Sequence, residues 1–103
     1  MNSNDVKQQL NTLTYNDETD AVTLRYLVLH LLAQYASAYR ELAGTGEGMA
    51  LLQHFKKLET AHTAFKEKQR NSSMTEYDFR IIYKLALEHA VYCSADKMLK
   101  HAA

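Results

Sequence analysis

Proline and tryptophan are absent from this chain, cysteine occurs once and glycine three times. Each scarcity excludes something. Without proline, no ring clash interrupts a helix, so the breaks must come from glycine or from polar clusters. A single thiol, Cys93, rules out an intramolecular disulfide and fits a reducing compartment, although one thiol can still join two chains. Gly44, Gly46 and Gly48 fall in one short stretch, which leaves no glycine-rich phosphate loop or dinucleotide fingerprint, and a nucleophilic serine triad is equally missing. Lysine plus arginine equals aspartate plus glutamate at 12 each, so the strong basic field that nucleic acid or an anionic membrane favours is lacking. The longest uncharged apolar run, Tyr26 to Tyr39, falls short of the ~20 residues of a membrane span. Residues 1–20 are polar and acidic, unlike a secretory signal. The expectation is one domain of 103 residues around one core, cytoplasmic, with no membrane span, no nucleic acid partner and no cofactor.

What the chain does have is apolar residues at spacings of three and four. That period specifies an all-α, antiparallel four-helix bundle, one short N-terminal helix followed by three long ones. Asn4 or Asp5 is placed to cap the first helix, with Val6, Leu10 and Leu13 on one face. Residues 14–20 form a polar linker, and Thr19 or Asp20 is placed to cap the second helix, expected from Ala21 to Ala43. Its inner seam is Leu24, Val28, Leu31, Tyr35, Ala38 and Leu42; His30, Gln34, Ser37 and Glu41 form the wet face. Tyr26, Leu27, Leu29, Leu32 and Tyr39 widen the seam on both flanks, which places this helix at the centre with at least two neighbours. The glycines end it. The third helix, Gly48 to Arg70, carries Leu51, Phe55, Leu58, His62, Phe65 and Gln69 inward, and the basic residues Lys56, Lys57, Lys66, Lys68 and Arg70 outward. After Asn71-Ser72-Ser73, two capping boxes compete: Ser73 with Glu76, which has the preferred glutamate, and Thr75 with Asp78. The fourth helix starts at these boxes, and its stretch from Phe79 to about Leu99 carries the pattern that matters. It is apolar around most of its circumference, with a polar row at Arg80, Lys84, Glu88, Asp96 and Lys100. Either it is wrapped, or part of Phe79, Ile81, Ile82, Tyr83, Leu85, Leu87, Val91 and Tyr92 serves an interface.

Three constellations bear on chemistry. Folding about the turns brings His54 level with His89 and Cys93, a soft set that zinc accepts, but without a fourth ligand or the paired spacing of zinc modules. A core histidine and a small buried thiol are the simpler reading. Glu59-Thr-Ala-His62 has the spacing used in di-iron bundles, which need a second such motif and two more glutamates. His62 in Ala61-His-Thr-Ala-Phe-Lys66 looks slightly like histidine phosphotransfer domains. That likeness implies an exposed phosphoacceptor histidine; here, however, Phe65 and Lys66 stand where that family has lysine and glycine. None of the three outranks core packing, so the expected function is non-enzymatic. The expected partner is another protein, met through Lys66, Lys68, Arg70, Tyr77, Arg80 and Lys84. A small phage or regulatory adaptor, homodimeric through the fourth helix, is the broader alternative.

From end to end the chain also resembles the class IIa bacteriocin immunity proteins, the enterocin A immunity group. The likeness lies in the leading helix around Lys7-Gln-Gln-Leu10-Asn-Thr-Leu13, a helix closing at a glycine turn, the long segment Leu51 to Arg70, and the re-entry Met74-Thr-Glu-Tyr77-Asp-Phe-Arg-Ile-Ile-Tyr-Lys-Leu85. The resemblance implies a cytoplasmic four-helix bundle that protects a producer cell, acting from inside against a bacteriocin lodged on the mannose phosphotransferase permease. It also implies partner discrimination in the C-terminal half. The fourth helix is expected to run nearly to Ala103, leaving little of the family's irregular tail, and no individual specificity residue is carried over.

Overall fold

The computed structural model describes residues 3–15 and 18–94. Within them the chain forms four α-helices and no strand: α1 (Ser3–Leu10), α2 (Glu18–Leu42), α3 (Gly46–Arg70) and α4 (Glu76–Ser94). Cross-helix contacts fix the directions. Arg25 near the start of α2 bonds Gln69 near the end of α3, while Tyr35 farther along α2 stacks on His54 near the start of α3. Lys68 then meets Asp78, and His54 meets His89. α2 and α3 are therefore antiparallel, as are α3 and α4. α2 packs on all three others, while α1 lies mainly on α4.

The core is the set of residues the period puts inward. Val6 and Leu10, then Leu24, Val28, Leu31 and Tyr35, then Leu51, Leu58 and Phe65, and finally Phe79, Ile82, Ala86 and Cys93 are all buried. Each removes apolar surface from water, and that burial rather than intrinsic propensity holds helices of this length in place. Tyr15 pins the linker to the bundle: its ring packs 5.5 Å from Phe79 and its hydroxyl donates to the Met74 carbonyl at 3.4 Å.

The turns differ from expectation in instructive ways. α2 begins at Glu18, so neither Thr19 nor Asp20 caps it; Asp20 instead accepts from the Thr14 amide and hydroxyl, both at 3.3 Å, and closes the linker. α1 likewise starts at Ser3, ahead of Asn4 and Asp5. α3 starts two residues early, at Gly46, because Thr45 is its cap. The Thr45 hydroxyl accepts from Gly48 N–H at 3.0 Å and donates to the Leu42 carbonyl at 2.6 Å, so one side chain serves the end of one helix and the start of the next. Gly44 supplies the positive φ (87°) for this reversal. Gly48 is needed for another reason: a Cβ there would run into the Leu42 carbonyl. The expected ends at Leu99 and Ala103 lie outside the described residues.

α2 sits at the centre with more than two neighbours, as its widened seam implies. Leu27 and Leu32 are buried, but Tyr26 and Leu29 stand out into solvent. Tyr35, half a turn round α2 from Tyr26, meets α3 at His54 and α4 at His89, so among the described residues no helix covers the Tyr26 and Leu29 flank.

Candidate partner-binding surface

The α3–α4 turn is built for rigidity. α3 ends with Ser73 N–H bonded to the Lys68 carbonyl and Ser72 N–H to the Gln69 carbonyl, while Ser72 takes the left-handed conformation at φ 56°. This is a Schellman ending with serine in the glycine position. Of the two capping boxes, the one without the preferred glutamate is made. Thr75 N–H donates to Asp78 Oδ2 at 3.0 Å, and Asp78 N–H donates to Thr75 Oγ1 at 3.2 Å. The Ser73–Glu76 box is not formed, because Ser73 is held by the end of α3, its hydroxyl donating to the Lys68 carbonyl. Asp78 Oδ1 also accepts from Lys68 Nζ at 3.0 Å, tying the two helices together. Bonds from Thr75 and Lys68 hold the Asp78 carboxyl below its usual pKa.

Beyond this bridge lies a shallow groove between α3 and α4, lined by Ala61, Ala64, Phe65, Lys68, Asp78, Ile81 and Ile82. Alanine at positions 61 and 64 creates it: small side chains on the α3 edge leave the flank of α4 uncovered. Ile81 stays 48% exposed, and Tyr77, one turn earlier on the same face, is 73% exposed. A groove floored by methyl groups and ended by an ion pair suits an apolar side chain from another protein.

The six residues expected to meet a partner do not form one patch. Lys66, Lys68 and Arg70 stand two residues apart, so the helical period turns successive ones to different sides of α3. Lys68 borders the groove and is bound to Asp78. Lys66 is exposed, and its charge adds to the lowering of the His62 pKa. Arg70 sits 3.6 Å from Glu67. On α4, Tyr77 and Lys84 share one exposed face by their spacing of seven, while Arg80 pairs with Glu76 at 2.8 Å. Of the six, Lys68 alone lines the groove. Sequence reasoning did not single out Ala61 and Ala64; their spacing of three, continued four residues on by Lys68, is the signal that marks the row.

The histidines are placed as the register implied, and their surroundings decide their chemistry. His54, His89, Tyr35 and Tyr92 form one ring cluster: His54 lies 4.4 Å from Tyr92 and 5.7 Å from His89, and Tyr35 Oη lies 2.6 Å from His89 Nδ1. Burial raises the Tyr35 hydroxyl, with the Cys93 thiol adding to it, so Tyr35 stays protonated and shares a hydrogen bond with His89 Nδ1. Burial, with His54 and Lys57 adding to it, pushes His89 down to about 4, and burial pushes the Cys93 thiol up to about 11. A ligand nitrogen already taken by a hydroxyl and a thiol held protonated make a packing cluster. Among the described residues no three of His, Cys, Asp and Glu are placed to hold a metal ion.

His62 is buried, 6% exposed. A phosphoryl acceptor has to meet its donor, so this placement does not suit phosphotransfer. Burial, then Arg25 and Lys66, lower its pKa. Glu59, three residues before it, is exposed, so the two do not converge as di-iron ligands would.

The chain matches no protein-family model, no curated protein and no solved structure. Among the described residues, no helix is long and apolar enough to cross a membrane.

Proposed function

We propose that this protein is a non-enzymatic helical bundle that binds another protein, and that its specific role is bacteriocin immunity. In this reading it is a cytoplasmic protein protecting the producer cell, engaging a bacteriocin–receptor complex at the membrane. The observation that carries the binding role is the apolar α3–α4 groove with Ile81 exposed in its lining and Tyr77 exposed one turn earlier on α4. The immunity role rests on the sequence resemblance to class IIa immunity proteins, which assigns partner discrimination to the C-terminal half. The groove lies in that half.

A recognition surface of this kind needs no catalytic group. The polar clusters that stand closest to chemistry are consumed by packing, whereas the groove offers exposed apolar area beside a rigid turn, so little ordering is lost on docking. The test is expression in a strain sensitive to pediocin-like peptides, followed by challenge. Survival of cells carrying the wild-type chain, lost with Ala64→Arg, is the expected result. Sensitivity unchanged across a broad panel of such peptides overturns the immunity reading.

A further inference from the structure

α2 carries two apolar seams, and only one of them is covered. The inner seam runs through Leu24, Val28, Leu31 and Tyr35 and is buried. The second runs through Val22, Tyr26, Leu29, Ala33, Ala36 and Arg40, at spacings of four and three throughout. Val22, Tyr26 and Leu29 are 43%, 70% and 45% exposed, and with Arg25 they line a shallow concavity. A heptad-spaced apolar seam is what a second helix packs against.

The order of sizes along the seam selects the occupant. Three large side chains come first and two alanines follow. When a second copy of α2 is laid antiparallel with the dyad at the level of Leu31, Leu29 faces Ala33, Tyr26 faces Ala36, and Val22 faces the aliphatic stem of Arg40. Every layer sets a large residue against a small one or against a snorkelling stem, the pattern that lets two helices approach and interdigitate. A parallel pairing would instead set Tyr26 on Tyr26 and alanine on alanine. The two Arg25 groups, six residues from the dyad on each side, end up about 18 Å apart along the axis and do not clash.

Charge on α3 agrees with the same dyad. A two-fold axis perpendicular to both helices keeps α3 on the same side of the seam in each copy, so the α3 edges also meet. Lys66 and Glu59 are seven residues apart on one exposed edge of α3. The Arg25–Gln69 bond sets the level: Lys66, three residues before Gln69, sits beside Val28, and Glu59, ten before it, sits beside Tyr35. Those levels straddle Leu31, so the lysine of one copy comes level with the glutamate of the other.

We infer that the exposed α2 seam is a self-association surface, pairing two copies of this chain antiparallel about Leu31 with Leu29 packed on Ala33 of the second copy. The seam spans about 27 Å, and with the α3 edge it offers on the order of 600 Å² per copy, somewhat below the ~800 Å² of a standard stable interface. The dimer is therefore reversible. It uses a different face from the α3–α4 groove and does not depend on the immunity role.

Sedimentation of the full chain from micromolar to near-millimolar concentration tests this, with helicity checked in parallel. The mass is expected to rise towards twice that of the monomer, and Leu29→Lys or Tyr26→Glu, both at exposed sites, to weaken association about tenfold or more. Ile81→Lys is expected to leave it unchanged. For register, Leu29→Cys mixed with Ala33→Cys should cross-link faster than either alone, since buried Cys93 stays protonated and inert. A mass that stays monomeric throughout, association indifferent to both seam variants in folded protein, or no advantage for the mixed cysteines overturns the inference.

Discussion

Tyr35 Oη and His89 Nδ1 lie 2.6 Å apart across the α2–α4 contact, and both residues are buried. The contact joins two buried polar groups, one from each helix, inside the core. Tyr35→Phe removes the hydroxyl and leaves His89 Nδ1 buried without this partner. The expected cost is about 1–3 kcal/mol, read as a lower midpoint in urea unfolding with an unchanged slope.

The same pair makes stability depend on pH. In the unfolded chain His89 takes a proton near its ordinary pKa of 6.5, but in the fold only at about 4. As pH falls between those values the unfolded state binds the extra proton, so stability falls with it and levels off below about pH 4; above 6.5 the term is constant. The full loss is on the order of 3 kcal/mol. His54 and His62, also lowered by burial, act in the same direction. Unfolding midpoints measured from pH 7 to pH 4 should show this slope, and His89→Asn, which keeps an acceptor near Nδ1, should flatten it.

Two neighbouring glycines should respond oppositely to alanine. At Gly46 a Cβ meets nothing within 4 Å, and the residue is the first of α3. Gly46→Ala should raise stability by up to about 1 kcal/mol through the unfolded chain's entropy and helix propensity. At Gly48 the new methyl meets the Leu42 carbonyl, backbone that cannot swing aside. Gly48→Ala should cost about 1–3 kcal/mol. Thermal unfolding of the two variants side by side decides it.

Ser72 holds φ at 56°, in the left-handed region, at the end of α3. A side chain there costs about 1 kcal/mol relative to glycine. Ser72→Gly should therefore raise the unfolding midpoint while leaving the far-ultraviolet dichroism unchanged.

Removing the Lys68–Asp78 contact should show which partner matters. Lys68 is half-exposed, and Lys68→Ala should shift stability by less than about 1 kcal/mol. Asp78 also completes the capping box with Thr75, so Asp78→Ala loses the helix start as well. Asp78→Ala should be the more damaging of the two in denaturant titration.

Much of the fold was readable in the linear order of residues. The inner seams of α2 and α3, the glycine break and the polar turn at Asn71 to Ser73 all follow from local spacing and backbone preference, and even the meeting of His54 with His89 follows from counting outward from the turn at Ser73. The surface was less legible. Lys66, Lys68 and Arg70 read as one basic cluster along the chain, but the helix turns them apart, and the groove is made by alanines that advertise nothing by themselves.

Periodicity states how far round a helix its apolar residues extend, and so the sequence by itself determined that α2 and α4 carry more apolar surface than one neighbour can cover. It does not state where the neighbours stand. Only the packing of α3 and α4 on one side of α2 decided that Leu27 and Leu32 are enclosed while Tyr26 and Leu29 are not. Only the closing of α3 on Ser73 decided that Thr75 rather than Ser73 caps α4, because a side chain can make its bond to one helix end or the other, and the choice depends on where the two ends meet.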